Sequence, residues 1–238
     1  MDTQSHLLLT RPRPRSEAFA AELERALPGR FRCTIAPLIE IEPVAAAIDA
    51  NGAQGLIFTS ATAVRLAAGN AALHRLPCIC VGPATASCAR AEGFRALSAD
   101  GGAGDVLRLA IATFRPGAGR ILHCRGQHAA GDLAAGLAAA GLPVETVILY
   151  DQKALPLNAA ARRDLRDGRI DIVTFFSPRT AAIFRQQSES DWKISQTVAV
   201  CLSPAVAEKL KNLRFKAVCT AKRPNSGALV ALLGEISR

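Results

Sequence analysis

Small hydroxyls, glycines and arginines recur in this chain where a short apolar run gives way to a helical stretch. The series is Thr10-Arg11, Thr59-Ser60, Gly82-Pro83 with Thr85, Arg125-Gly126, Ser177-Pro178-Arg179 and Ser203-Pro204. A helix start offers unpaired backbone N–H groups and the positive end of a dipole, so such positions suit anions. Arginine adds a forked donor that fits a carboxylate or phosphate through two contacts at once. Taken singly, a Ser or Thr at a helix start is an ordinary cap. Taken together with Arg11, Arg125 and Arg179, the set fits an extended ligand with several negative charges better than a single phosphate. Tyr150, the only tyrosine, closes the apolar run 144–150 and so belongs to the same edge. A tyrosine there can pack or do chemistry, and its being alone does not decide between them.

Other chemistry is hard to find. No Gly-x-Gly-x-x-Gly follows a strand, no Walker A sequence occurs, and no Gly-x-Ser-x-Gly elbow or His placed to activate a Ser is present. Glu40 and Glu42 stand two apart at an expected crossing between domains and read as solvated. Seven cysteines lie at 33, 78, 80, 88, 124, 201 and 219 without a Cys-x-x-Cys, and His6, His74, His123 and His128 show no ligand spacing. Most of the cysteines sit inside apolar runs, as small buried hydrophobes of a reducing compartment do. The expectation is therefore no metal site and no bound dinucleotide.

The elements that must position these residues alternate. Strands are predicted at 6–10, 31–36, 55–59, 77–81, 95–97, 119–124, 144–150, 170–176, 197–202 and 215–219. Helices are predicted at 14–28, 43–50, 61–73, 83–92, 103–113, 129–140, 158–167, 178–188, 204–212 and 226–236. Strands alternating with helices imply an α/β fold with parallel sheets covered on both faces. An internal repeat divides the strands into two sets of five. Leu7-Leu8-Leu9-Thr10-Arg11 parallels Ile121-Leu122-His123-Cys124-Arg125, and Ile57-Phe58-Thr59-Ser60 parallels Phe175-Phe176-Ser177-Pro178. Val81-Gly82-Pro83-Ala84-Thr85-Ala86 likewise parallels Leu202-Ser203-Pro204-Ala205-Val206-Ala207. Two similar five-stranded domains follow, with ligands expected outside the carboxyl ends of the strands.

Composition narrows the partner. The chain has 238 residues, is 50% apolar and 5% aromatic, and carries a net charge of +9 from 23 Arg, 6 Lys and 20 acidic residues. That apolar content excludes a disordered tail protein. No apolar run approaches the roughly 18–20 residues of a membrane span, and no secretory signal pattern opens the chain, so a cytoplasmic protein is expected. The positive surplus implies an anionic partner or simple solubility. Nucleic acid is disfavoured, because aromatics for base stacking are sparse and no nucleic-acid-binding motif occurs.

The marks Thr10-Arg11-Pro12, Phe58-Thr59-Ser60-Ala61, Val81-Gly82-Pro83-Ala84-Thr85-Ala86, Arg125-Gly126, Leu149-Tyr150-Asp151, Phe176-Ser177-Pro178 and Pro204 with Ala207 follow one another in a fixed order. In these the chain resembles the uroporphyrinogen-III synthase family over nearly its whole length. The resemblance implies one domain from 1–37 plus 155–238, a second from 43–149, and a two-stranded linker at the crossings near 37–43 and 150–157. It implies a cofactor-independent cyclisation of hydroxymethylbilane, a linear tetrapyrrole with eight carboxylate side chains, with inversion of the terminal ring and loss of water. Tyr150 matches the family tyrosine held to assist departure of the hydroxyl. The substrate-binding set it implies is Thr10, Arg11, Thr59, Ser60, Gly82, Thr85, Arg125, Gly126, Ser177, Pro178, Arg179 and Ser203. One departure stands out: Ser203 and Val206 replace a family Gly and Thr, so a hydrogen-bond donor is missing at Val206. A monomer is expected, and a transient contact with the deaminase that makes the bilane is left open. The alternative is a non-catalytic two-domain binder or sensor of an anionic metabolite.

Overall fold

The computed structural model describes residues 4–99, 101–128 and 133–236. The chain begins with β1 (Ser5–Leu9), α1 (Arg13–Ala26) and β2 (Phe31–Ile35), then runs through β3 (Ile39–Pro43) into β4 (Ala53–Phe58) and α2 (Ala61–Ala67). It continues with β5 (Cys78–Cys80), α3 (Pro83–Ala91), β6 (Ala96–Ser98), α4 (Ala103–Thr113), β7 (Arg120–Gly126), α5 (Leu133–Ala139) and β8 (Val144–Ala154). It ends with α6 (Ala159–Asp167), β9 (Ile172–Phe175), α7 (Pro178–Gln187), β10 (Val198–Cys201), α8 (Pro204–Glu208), β11 (Ala217–Thr220) and α9 (Ser226–Ile236). Among the described residues no helix is long and apolar enough to cross a membrane.

Two compact units result, one of Met1–Glu40 with Lys153–Arg238 and the other of Ile41–Gln152. In the first, five parallel strands lie in the order β2-β1-β9-β10-β11. Counted along that unit the order is 2-1-3-4-5, a doubly wound sheet whose direction of winding reverses between β1 and β9. The second unit has the order β3-β8-β7-β4-β5-β6, with β4 to β8 mutually parallel. Starting the count at β7 turns this order into the same 2-1-3-4-5. The two sheets are thus circular permutations, and β7, β4 and β5 correspond to β1, β9 and β10. This explains the sequence repeat. Each repeat gives its first two strands to one sheet and its last three to the other.

The sixth strand corrects the expectation of five in each sheet. Leu155 N–H donates to the Leu38 carbonyl and Val44 N–H to the Leu149 carbonyl. One side of this ladder rises in number as the other falls, so β3 runs antiparallel to the long β8. The predicted helix at 43–50 does not form. Val44 is held by the ladder, and Asn70 Nδ2 donates to the Ile48 carbonyl, fixing a connection too short to nucleate a helix alone. The predicted helix at 129–140 appears as α5, with 129–132 outside the described residues.

Burial explains the elements. In β4, Leu56 and Phe58 join one core cluster while Ile57 joins the cluster on the opposite face. In β7, Leu122 and Cys124 divide from Ile121 in the same way. Such strands read as continuous apolar runs because both faces are covered. Helix α6 shows the local logic: Asn158 accepts from Ala161 N–H at the start, Ala161 and Leu165 are buried, and Gly168 (φ 72°) closes it in the left-handed region. All seven cysteines are free, with Cys78, Cys80, Cys124 and Cys201 buried.

Candidate active site

In the unit that carries β1 and β9, Thr10 stands at the point where the winding reverses. Its side chain is fully buried, and its hydroxyl donates to the Thr174 carbonyl at 2.8 Å. Thr10 therefore ties β1 to β9 and presents no free hydroxyl to a ligand. The next residue, Arg11, is partly buried. The Arg11 guanidinium carbon lies 4.0 Å from the centroid of the Phe176 ring, a cation–π contact. Burial first, and then the charge of Arg15, lower its pKa to about 10, so it stays charged at neutral pH. Ser177 caps α7, accepting from Thr180 N–H at 3.1 Å and lying 2.8 Å from the Thr180 hydroxyl. Pro178 takes the first helical position with Arg179 after it, half-buried. Ser203 precedes α8 but makes no side-chain cap bond, and Val206 beyond it is 1% exposed.

In the unit built on β4 to β8, the corresponding edge brings Tyr150 to Ser60. Their hydroxyl oxygens are 2.9 Å apart, and Ser60 also caps α2 by accepting from Ala63 N–H at 3.1 Å. Strand order explains the reach. Tyr150 belongs to β8, Ser60 follows β4, and β7 lies between them. The phenol crosses the end of β7 at Gly126, where a Cβ would lie 2.5 Å from two ring carbons. Gly126 is therefore glycine because the ring occupies the place of a side chain. The β7–β8 register shifts between Arg125 and Gly126, so that Arg125 pairs with Ile148 and Gly126 with Tyr150. Consecutive residues of a regular strand face opposite sides. Across this irregularity Leu149 and Tyr150 both join one cluster, with Phe58, Leu122 and Cys124. Tyr150 is 4% exposed.

Arg125 turns its guanidinium to the carbonyls of Gly126 and Gln127, at 3.1 and 3.3 Å. Gly82 caps α3 with extended backbone and no side-chain bond, and the space where a Cβ would stand is open for 4 Å. Pro83 has no N–H, so the amides of Ala84 and Thr85 begin the helix without partners inside it. Thr85 itself is 8% exposed and stands in that first turn. Two helix starts, α2 and α7, thus hold one of their own amides with a serine, while Gly82 and Ser203 make no side-chain cap bond at the starts of α3 and α8.

Two residues beside these strand ends, one in each unit, are absent from the residues predicted from sequence. His123 is 5% exposed, with Nε2 3.4 Å from the Thr59 hydroxyl. Burial, then Arg125, lower its pKa to about 4, so the ring is neutral near pH 7. A histidine inside the apolar run 121–124 is the signal that points to it. The other is Phe176, the platform for Arg11, which looks like any core aromatic in sequence.

The family model for uroporphyrinogen-III synthase HemD matches residues 17–231. The chain belongs to the uroporphyrinogen-III synthase family. Membership makes it an enzyme of heme biosynthesis, a cyclising lyase. The fold is shared with uroporphyrinogen-III synthetase from Helicobacter pylori 26695 at 16% identity and a TM-score of 0.68, covering 98% of this chain and 99% of that one. A mutant uroporphyrinogen III synthase from the extremely thermophilic bacterium Thermus thermophilus matches at 18% identity and a TM-score of 0.60, covering 98% of each chain. No curated protein sequence matches the chain.

Proposed function

We propose that this protein closes hydroxymethylbilane to uroporphyrinogen III and acts without a cofactor. The family match over residues 17–231 carries this reading, and the same match does not favour a non-catalytic sensor. The chemistry agrees. Loss of the bilane hydroxyl as water gives an azafulvene, and the far pyrrole attacks it through its substituted carbon to form a spiro intermediate. Fragmentation and recombination invert that ring and close the macrocycle. Nothing is oxidised or reduced, and the bilane is reactive enough to close unaided to the type I isomer. The protein's task is to hold a flexible polyanion in the shape that gives inversion. Each factor of ten in isomer ratio needs about 1.4 kcal/mol of differential barrier.

Arg11, Arg125 and Arg179, the helix-start amides at Gly82 and Ser203, and the hydroxyls of Thr59 and Ser177 supply donors for the substrate carboxylates. Tyr150 assists the departing hydroxyl, as a proton donor or as a hydrogen-bond donor to its oxygen. The protein works as a cytoplasmic monomer. The test is freshly prepared hydroxymethylbilane, with the oxidised porphyrins resolved by isomer. Type III product is expected, and Tyr150→Phe is expected to slow its formation strongly while leaving some of it. Type I alone would overturn the proposal, and full activity in Tyr150→Phe would remove the role of Tyr150.

A further inference from the structure

We propose that Ser60 and Gly126 are positioning residues that form a two-sided slot for the Tyr150 phenol, with Ser60 as the donor that frees the phenol's own proton for the substrate. The inference rests on the reading of Tyr150 given above.

Gly126 forms the first side of the slot. A Cβ built there lies 2.5 Å from both Cε2 and Cζ of Tyr150 and 3.0 Å from Oη. Real Cβ atoms do not approach ring carbons so closely, so any side chain at 126 displaces the hydroxyl end of the ring. Gly126 also pairs with Tyr150 across the β7–β8 ladder, after the register shift that turns the ring toward β4. Gln127 N–H donates to the Tyr150 carbonyl at 2.8 Å, which holds the backbone on the far side of that shift.

Ser60 forms the second side. Its oxygen accepts from Ala63 N–H and lies 2.9 Å from Tyr150 Oη. A serine hydroxyl has one hydrogen and two lone pairs. With one lone pair directed to Ala63, the serine hydrogen can point at Oη. Only in that arrangement is the phenol hydrogen left free to leave the pair. In the reacting state the phenol proton then passes to the bilane hydroxyl oxygen. The C–O bond breaks with its electron pair going to oxygen, and water leaves. The phenolate left behind accepts the Ser60 hydrogen bond. A proton released when the closing pyrrole regains its aromaticity restores the phenol.

Tyr150 is the only tyrosine in the chain, so [13Cζ]tyrosine labelling gives a single resonance that reports on this hydroxyl without substrate. Ser60→Gly keeps most of the helix cap, because glycine caps nearly as well as serine, and it removes the hydroxyl. We expect the resonance to move in Ser60→Gly and in Gly126→Ala, and to return toward its wild-type position in Ser60→Thr. With hydroxymethylbilane, Ser60→Gly should lower kcat about 10- to 100-fold, the worth of a hydrogen bond to a charged group, with KM within about twofold. In a Tyr150→Phe background the same change should cost less than about twofold. An unmoved resonance in both variants would overturn the slot. So would an equal loss with and without the Tyr150 hydroxyl. Gly126→Ala leaves the Ser60 cap intact and tests the slot should Ser60→Gly fold poorly. A wild-type protein that yields only type I product would overturn the proposed function, while the resonance would still decide whether the slot exists.

Discussion

Thr10→Val separates a structural threonine from a ligand-binding one. The Thr10 side chain and Thr174 are both fully buried, and the Thr10 hydroxyl donates to the Thr174 carbonyl at 2.8 Å. Valine keeps the branched shape and replaces the hydroxyl by a methyl. The carbonyl loses a donor in a dry site, a cost of about 1–3 kcal/mol. The added apolar group offsets up to about 0.8 kcal/mol of this. A net loss of about 1–2 kcal/mol remains. At about 2–4 °C per kcal/mol for a chain of this size, Tm should fall by about 2–8 °C. KM for the bilane should change less than about twofold, because this hydroxyl is buried and committed to the Thr174 carbonyl. Calorimetry and steady-state kinetics on the same preparation read both quantities. A KM rise of tenfold with unchanged Tm would refute the reasoning and return Thr10 to the substrate-binding set.

Arg11→Ala should raise KM about tenfold, and Arg11→Lys should recover only part of it, because an ammonium lacks the fork and stacks poorly on Phe176; equal KM in all three proteins would place the substrate elsewhere. Stability should depend on pH through His123. Its pKa falls from 6.5 unfolded to about 4 folded through burial. Between those values the unfolded chain binds a proton that the folded chain does not, so stability falls as pH drops from about 6.5 to about 4, by about 3 kcal/mol at most. Urea unfolding across that range should show a shallower fall in His123→Leu than in wild type; His6, lowered in the same direction, contributes equally to both, and identical pH slopes would contradict the assignment. Val206→Thr should not recover a carboxylate contact. The side chain is 1% exposed, so a hydroxyl there costs about 1–2 kcal/mol of stability and leaves KM within twofold, whereas a clear fall in KM would show that the position faces substrate.

Much of this architecture was legible from period and repetition. Runs such as 170–176 announce strands covered on both faces, and the paired marks around Thr59-Ser60 and Ser177-Pro178 announce two related sheets. What the linear pattern did not reveal is the permutation, because a repeat lists strands without saying which neighbours they choose. The segment 43–50 has helical composition, yet its backbone bonds go to β8 and to Asn70. Composition alone cannot weigh that competition. The strand-end residues were recognisable as a set, but not their individual duties. Thr10 and Thr59 both end apolar runs, and only tertiary packing buries the first. Tyr150 shows the limit most clearly. Regular alternation puts Leu149 and Tyr150 on opposite faces, and the register shift at Gly126 brings both into one cluster. Nothing in the run 144–150 marks that irregularity, although Gly126 records it as the one residue type that leaves room for the ring.

On this account the protein imposes ring inversion on a reaction that otherwise closes without it. The most direct measurement is the type III fraction of product from a fixed amount of fresh hydroxymethylbilane as the protein concentration is raised. The fraction should climb from near zero and saturate with type III dominant, at concentrations far below that of the bilane. A fraction that stays at the uncatalysed value at every protein concentration would contradict the account.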